Sequence, residues 1–387
     1  FSGIESVPAG LFASNTLTTT FKNVFSGCTS LTSLPGDLFV NNKAVTSFES
    51  AFSGCVSLTS LPAGLFANNS KVSTYVNAFN GCTALASVGN IFGTNATGKL
   101  KLDSAFEGCT SLKALPAGFF DGLTGADSFK KTFYGCTALA TIPEKLFVNN
   151  TDATTTESCF QNCTALQAVP AGLFGQTTKT KTLALMFADC SSLATIAPDA
   201  FSGINTASGT VTKIFQNCIS LKEVPSGLFK NNEKISTYTY AFSGCTGIEK
   251  IGSEVVNCKY GSTSISNIFS GCTSLKEIGA NVFINPEKVK TAISLFQNCT
   301  ALETVPVGIF DNFKAVTSIN YLFDGCVSLK GESPYTVVNG VKYHLYDRTA
   351  DNSSASGFAE IKTMKAAFQG CTKLSDYAQI PDPAKAN

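Results

Sequence analysis

The chain has 387 residues, of which 44% are hydrophobic and 14% are charged, and its 28 basic and 27 acidic side chains leave a formal net charge of +1. This balance gives no electrostatic reason to expect a nucleic acid or an anionic membrane as a partner. No apolar run in the sequence approaches the ~20 residues that cross a bilayer, so no transmembrane segment is predicted.

One phrase, clearest as FSGCVSLTSLPAGLF at residues 52–66, recurs from one end of the chain to the other. Its cysteines are 27 residues apart, except for a spacing of 28 before Cys218 and of 45 before Cys371. A fixed period of this size is typical of a solenoid, in which each repeat is one coil stacked on its neighbours. The repeat cysteines are Cys28, Cys55, Cys82, Cys109, Cys136, Cys163, Cys190, Cys218, Cys245, Cys272, Cys299, Cys326 and Cys371.

The first residues of the chain already belong to the repeat. Residues 1–8 match residues 28–35 at the same offset of 27, so the chain starts within a coil. We therefore expect a processed or trimmed N-terminus, with any export signal and a possible lipid anchor upstream of this chain.

Thirteen of the fifteen cysteines occupy one repeat position, which predicts a ladder of buried structural thiols, because free cysteine packs as a small hydrophobe. Stacked side chains point the same way, so disulfides between coils are not expected. A metal cluster is not expected either, since the sequence has no CxxC pair and His344 is its one histidine. Cys159 is predicted to be another buried thiol, and Cys258 to be the exposed, reactive one.

Two phenylalanine columns accompany the cysteines. One phenylalanine stands three residues before every repeat cysteine, and a second recurs eleven residues after it in most copies, as Phe52 and Phe66 do around Cys55. Aliphatic residues fill the third and sixth positions after the cysteine. We expect these positions to form the core, because unvarying residues fit an interior column better than the rival interpretation, an exposed aromatic platform.

The remaining segments of the repeat are predicted from their turn residues. The apolar stretch that ends at a proline, as in residues 58–62, predicts a short strand that stops at a corner. Residues 64–69 and their equivalents predict a helical turn closed by an asparagine in the left-handed conformation. The return leg has apolar residues ten, seven and four before the cysteine, which suits either a helical turn or a second irregular strand.

An insertion interrupts the repeat between Leu329 and Phe368. Asn339-Gly340 between two β-rich runs predicts a hairpin, and His344 is expected to be a surface residue of that hairpin. We therefore divide the chain into a solenoid at 1–330, starting in mid-repeat, and a segment at 331–387 in which the hairpin and the last repeat act as a C-terminal cap. A ligand-binding insert is the alternative.

The signature aromatic-x-G-C-x-x-L-x-x-hydrophobic, carried by residues 52–61 and repeated thirteen times, resembles that of the BspA-like leucine-rich-repeat surface proteins of bacteria. The resemblance implies an α/β-type leucine-rich repeat, a cell-surface location and adhesive or unknown roles, and it supplies no catalytic residues. The fold class we predict is a right-handed repeat solenoid of about fourteen coils, with short parallel strands stacked coil on coil, helical turns and a C-terminal hairpin cap.

The candidate partner-binding residues lie where the repeat varies. The fourth and fifth positions after the cysteine point outward and become charged in the second half, with alternating signs that suit pairing between neighbouring strands. A salt-bridged, solvated face is one interpretation, and a polar docking strip flanked by exposed tyrosine anchors is the other. The residues are Lys222, Glu223, Tyr240, Glu249, Lys250, Lys276, Glu277 and Tyr321.

Together these features predict a non-enzymatic cell-surface protein without cofactor, metal or catalytic residues, which takes part in adhesion or binds a protein or glycan partner. A glycan-capture component of a nutrient-uptake system is the alternative, and it requires exposed aromatic platforms. A spacer without any ligand is a third possibility.

Overall fold

Turns of the chain contribute strands of two or three residues, or single bridges, that pair in parallel with equivalent residues one repeat away. The computed structural model describes residues 3–95, 99–177, 179–204, 209–260 and 264–386. It comprises two units, one of Phe1–Leu193 and Ala200–Ala207 and the other of Ala194–Asp199 and Ser208–Asn387. Each is a parallel solenoid with turns of about 27 residues, since strands such as Ser60–Leu61 pair with residues 27 positions further on.

The strands, in chain order, are β1 Ser60–Leu61, β2 Ser87–Val88, β3 Leu100–Lys101, β4 Ala126–Ser128, β5 Ala168–Val169, β6 Thr195–Ile196, β7 Gly209–Thr210, β8 Glu223–Val224, β9 Ile235–Thr237, β10 Lys250–Ile251, β11 Val256–Asn257, β12 Glu277–Ile278, β13 Phe283–Ile284, β14 Tyr335–Val338 and β15 Val341–His344. The helices of the described residues are two 3-10 turns, Leu345–Asp347 and Tyr377–Gln379, and two short α-helices, α1 Ser353–Ser356 and α2 Asp382–Lys385.

The strand predicted before the corner is present in coils of both units, although not at residues 31–35 or 302–306. In the first unit β1 pairs in parallel with β2, and in the second unit β8, β10 and β12 form a three-stranded parallel sheet with β10 in the middle. Within each strand the outer residue is solvent-facing and the following aliphatic is buried, as with Glu277 and Ile278. The pleat therefore separates a core position from a surface position in every copy.

The return leg, which the sequence left open, is an irregular strand. β3 pairs with β4 and β7 pairs with β9, each with a shift of register. In other coils the same column consists of single parallel bridges, such as Thr20 to Ser47 and Ser47 to Thr74. Serine or threonine here accepts a hydrogen bond from the backbone N–H two residues later, as Thr74 does from Val76, which ends the strand in a turn.

The predicted helical turns are wrong for the regular coils that the structure describes. Consecutive single turns replace them, for example Ala67 N–H to the Gly64 carbonyl at 2.9 Å and then Asn69 N–H to the Phe66 carbonyl at 3.1 Å. Most left-handed residues are also elsewhere than predicted, with Asn285 (φ 56°) as an exception. They stand one and five positions before the cysteine and nine after it, as Gly54 (φ 74°), Ser50 (φ 53°) and Gly64 (φ 71°) do. The chain must turn too often within one coil for a helix to form.

The asparagines that were predicted to be left-handed instead form a buried ladder. Asn69 is 2% exposed, and its amide donates to the carbonyls of Phe39 and Asn42 in the preceding coil, at 3.2 and 2.9 Å. Asn150 makes the same pair of bonds to Phe120 and Leu123. The ladder satisfies backbone acceptors that the turn leaves buried without a strand partner.

The core columns are confirmed. The phenylalanines three before the cysteine stack on one another with ring centroids 5.2–5.7 Å apart. Eleven of the thirteen repeat thiols donate to the carbonyl of the phenylalanine one coil back, as Cys55 Sγ does to Phe25 at 3.2 Å. Cysteine thus combines a small apolar volume with a second donor for a carbonyl that already accepts a backbone N–H. The same bond is made by Cys82, Cys109, Cys136, Cys163, Cys190, Cys245, Cys272, Cys299, Cys326 and Cys371.

All fifteen cysteines are buried, so the prediction of an exposed Cys258 is wrong, whereas that of a buried Cys159 is confirmed. Cys258 is 1% exposed because β11 pairs with β13 and carries the thiol inward. Burial raises the pKa of Cys258 to about 12.

We therefore expect the native protein to resist a thiol-specific reagent at pH 8, because the thiolate is the reactive form and burial disfavours it. Unfolding in guanidinium should expose all fifteen thiols. The exposed substitution Thr59→Cys provides the positive control. Rapid native labelling of Cys258, mapped by peptide mass spectrometry, would contradict the placement of its side chain.

The segment after Leu329 forms an antiparallel hairpin of β14 and β15, as predicted, with Asn339 (φ 51°) and Gly340 (φ 81°) at its turn. Beyond it, Arg348 is 1% exposed and donates to the carbonyls of Phe310 and Phe313 and to the Thr336 hydroxyl, at 3.1–3.3 Å. The two carbonyls are those that a ladder asparagine would bind in the next regular coil. Arg348 therefore takes the place of that asparagine under the hairpin.

Candidate functional site

Most of the predicted partner-binding residues lie on the first strand column of the second unit. We call this surface the charged strip; it comprises Lys222, Glu223, Glu249, Lys250, Lys276 and Glu277, together with Glu303 and Lys330 in the next two coils. β8, β10 and β12 hold it in register, with Lys250 opposite both Glu223 and Glu277. The inward aliphatic that follows each charged pair anchors the strand, so the charges project into solvent.

Neighbouring coils of the charged strip are joined by ion pairs of alternating sign. The pairs are Lys276 with Glu249 at 3.0 Å, Lys250 with Glu277 at 3.1 Å and Lys330 with Glu303 at 2.5 Å. The hydrogen bond from Lys276 lowers the pKa of Glu249, and the hydrogen bond to Glu277 raises the pKa of Lys250. The strip has four lysines and four glutamates, so its formal net charge is zero.

The two tyrosines share one repeat position away from the charged strip. Tyr240 and Tyr321 both stand five residues before a repeat cysteine, in the left-handed conformation (φ 59° and 57°), and both are half-buried. A lysine lies over each ring, Lys213 at 5.6 Å and Lys365 at 5.8 Å. Each tyrosine presents a partly covered ring edge, which differs from the predicted exposed anchor.

A groove of about 210 Å³ lies where the regular coils meet the hairpin, and we call it the end groove. Val305 and Val307 of one coil, Lys330 and Glu332 of the next, and Tyr335 of β14 line it. Val307 is 83% exposed, although the equivalent residue is small or polar in most other copies. The groove is therefore an apolar surface at the end of the charged strip, which it joins at Lys330.

The hairpin wall of the end groove is held by a cluster of titratable residues. His344 is 9% exposed, so the expectation of a surface residue is wrong. Its Nδ1 lies 2.9 Å from Asp347, and its Nε2 lies 3.1 Å from Glu332 and 3.6 Å from Asp376. Lys342 pairs with Glu332 at 2.6 Å and, with its hydrogen bond, lowers the pKa of that carboxyl. The insertion folds His344 inward because β15 continues directly into a 3-10 turn.

The same cluster provides no arrangement for nucleophilic catalysis. Ser333 is buried, and its hydroxyl and N–H both donate to Asp376, at 2.5 and 3.0 Å. Burial acts to raise the pKa of Asp376, but these bonds and one from Tyr346 outweigh it and lower the pKa. Asp376 thus acts as an acceptor that ties the hairpin to the last coil.

Within the residue ranges that the structure describes, no three His, Cys, Asp or Glu side chains are arranged to hold a metal ion. No helix in those ranges has the length and apolar character that a bilayer span requires.

Sequence reasoning therefore found the charged strip but missed the end groove and the cluster around His344. Two signals were present. Val307 is a large apolar residue at a repeat position that is otherwise small or polar, and Glu332 falls where most copies have an aliphatic residue. Such departures from a repeat are the places where the regular packing must change.

The fold and the repeated interior define a leucine-rich-repeat solenoid. The sequence profile of the BspA type leucine rich repeat region matches residues 9–118, 101–207, 129–249 and 185–330. These segments cover most of the chain, and the chain belongs to this family. The family consists of repeat proteins, and the match indicates no catalytic family.

Solved structures with similar folds have low sequence identity to the chain. A leucine-rich repeat protein from Bacteroides ovatus is 19% identical, with 95% of this chain and 86% of that chain covered and a TM-score of 0.48. A leucine rich cell surface protein from Faecalibacterium prausnitzii is 16% identical, with 92% and 86% covered and a TM-score of 0.28. No curated protein matches the chain.

Proposed function

We propose that the protein is a non-enzymatic bacterial surface protein that binds another protein in an adhesive role, through the charged strip and the end groove beside it. The family match supports an interaction role, because repeat solenoids use extended surfaces for recognition. The observation that carries the proposal is the position of the exposed Val307 beside the ordered charges of Lys330 and Glu303. An apolar centre with a charged rim is the usual composition of a protein interface.

The charged strip contributes to specificity as well as to affinity. Its three ion pairs join six of its eight charged side chains, so a partner must offer a matching order of signs to exchange them without loss. Tyr240 and Tyr321 are proposed as secondary contacts, since aromatic side chains are frequent at interface hot spots.

We also propose that the chain follows a right-handed path of about fourteen coils. We further propose that residues 331–387 form the C-terminal cap, because the hairpin and Arg348 cover a coil whose buried carbonyls would otherwise lack a partner from the next regular coil. We also propose a location at the cell surface, and the family match supports it.

Glycan capture in a nutrient-uptake system is the second candidate. The phenylalanine columns that could have formed a sugar-stacking platform are core residues, as with Phe52 and Phe79 at 0 and 1% exposure. Tyr335, on the wall of the end groove, is the observation that favours this candidate.

The proposal is tested by measuring the binding of the purified chain to immobilised extracellular-matrix proteins, mucins and a glycan array. We expect a protein ligand whose affinity falls about tenfold in Glu249→Ala and in Lys276→Ala. Thr59→Ala, at the equivalent outward position of an uncharged coil, is the matched control and should bind normally.

Equal loss in Thr59→Ala and Lys276→Ala would overturn the assignment of the charged strip. Binding to glycans alone would establish the second candidate, and no binding to any ligand would favour a spacer.

A further inference from the structure

His344 is the one histidine of the sequence, and its ring is enclosed on several sides. It stacks on Tyr346 with centroids 5.0 Å apart and planes inclined by 6°, and it meets Tyr335 edge-on at 5.7 Å. These rings restrict the imidazole to one orientation. The positions of its two nitrogens are therefore defined by packing.

Each nitrogen faces a carboxylate oxygen. Nδ1 lies 2.9 Å from Asp347 Oδ2, and Nε2 lies 3.1 Å from Glu332 Oε1. An ionised carboxylate only accepts hydrogen bonds, and a neutral imidazole has a single N–H. In the neutral ring one of the two contacts would set a nitrogen lone pair against an oxygen lone pair. Both contacts are hydrogen bonds only when the ring carries both protons.

The charges around the ring favour that doubly protonated form. Three carboxylates, Glu332, Asp347 and Asp376, lie within 3.6 Å of it, whereas Lys342 is the cation bound to this group. Tyr335, Tyr346 and Ser333 are the other polar residues of the cluster, and both Tyr346 and Ser333 donate to Asp376. Lys342 alone leaves a net negative charge that the imidazolium reduces.

The contacts join separate segments of the second unit. Glu332 precedes the hairpin and lines the end groove, His344 ends β15, Asp347 lies in the 3-10 turn and Asp376 belongs to the last coil. We propose that His344 is a proton-dependent latch, which in its doubly protonated form joins Glu332, before the hairpin, to the turn at Asp347 after it, and adds an ion pair at 3.6 Å to Asp376 of the last coil. The latch follows from these contacts alone and holds whether or not the groove binds a partner.

The direction of its pH dependence follows from the charges. Loss of a ring proton turns one hydrogen bond into a repulsive contact, so a rise in pH that removes this proton weakens the latch. At the acid end it needs ionised carboxylates. The pKa values of Glu332 and Asp376 are lowered, so these two remain ionised below the usual range of carboxyl groups.

The test combines the ring ¹⁵N NMR signals of the single histidine with amide hydrogen exchange of the hairpin between pH 5.5 and 8.5, corrected for the intrinsic exchange rate. We expect both ring nitrogens to be protonated at pH 5.5. Hairpin protection should then fall about tenfold toward pH 8.5, while amides in the coil of Cys272 show no such change.

His344→Gln should remove this pH dependence and leave protection at the lower level throughout. Asp347→Asn keeps the volume, removes one partly exposed negative charge, and can either accept a hydrogen bond from Nδ1 or donate one to it, so it should reduce the dependence even if His344→Gln does not fold. A singly protonated ring at pH 5.5, or the same pH profile in wild type and Asp347→Asn, would overturn the latch.

Discussion

Arg348→Ala is expected to destabilise the C-terminal part of the chain by about 3–5 kcal/mol. The guanidinium is buried, and its donors satisfy the carbonyls of Phe310 and Phe313 and the Thr336 hydroxyl. It also lies 3.7 Å from the Phe358 ring centroid. Truncation removes the donor of the Phe313 carbonyl and of the Thr336 hydroxyl, leaves the Phe310 carbonyl only its bond from Phe313 N–H, and opens a cavity. Both effects act in the same direction. Burial lowers the pKa of Arg348 to about 10, so the side chain is still a cation at neutral pH.

Guanidinium denaturation measures the loss of stability, and hydrogen exchange of residues 310–313 and of the hairpin shows where it occurs. Both are needed because groups of neighbouring coils in a repeat protein can unfold separately. Lys288→Ala removes an exposed positive charge from the same unit and should change the stability little. Arg348→Lys keeps the charge but not the planar set of donors, so an intermediate loss is expected. A loss of hydrogen-exchange protection only in regions far from Phe310 would argue against the role of the guanidinium.

Asn69→Leu is expected to reduce the stability of the first unit by about 1–3 kcal/mol. The buried amide donates to two carbonyls of the preceding coil, and leucine, of similar size, removes both bonds and leaves each carbonyl only the backbone bond of its own turn. Because the ladder repeats the same bonds at Asn42 and Asn150, the effect should be similar at those positions.

Asn68→Leu is the matched control, since Asn68 is the adjacent asparagine and is exposed. The difference in unfolding free energy between the two variants, from thermal or chemical unfolding, gives the contribution of the ladder bonds. The change in helix or turn preference from asparagine to leucine is common to both variants and cancels. Equal stability of Asn69→Leu and the wild type would show that these carbonyls find other partners. An equal loss in both variants would place the effect in the turn sequence and not in the ladder.

The repeat made much of the interior predictable. A residue such as Phe106, Cys109 or Leu112 recurs in almost every copy, and a position that never varies in a stacked coil must meet its own equivalents above and below. The core columns, the strand that ends at the corner and the hairpin around Asn339 were therefore accessible from pattern alone. The charged residues were placed on the surface for the complementary reason, that the repeat tolerates change only there.

Other features depended on bonds between coils that a linear pattern does not show. Asn69 looks like a turn residue in sequence, and only the carbonyls of the coil beneath it reveal a buried amide ladder. Cys258 lies at a position that is polar in other copies, yet strand pairing turns it inward.

The sequence by itself thus determined the period, the interior columns and the family of this protein. The tertiary structure decided the turn type, the substitution of Arg348 for a ladder asparagine, and the meeting of His344 with Asp376. The physical reason is the range of the interactions: identical neighbours one coil away are implied by repetition, whereas unique contacts across the insertion depend on how the folded chain satisfies its buried donors and acceptors.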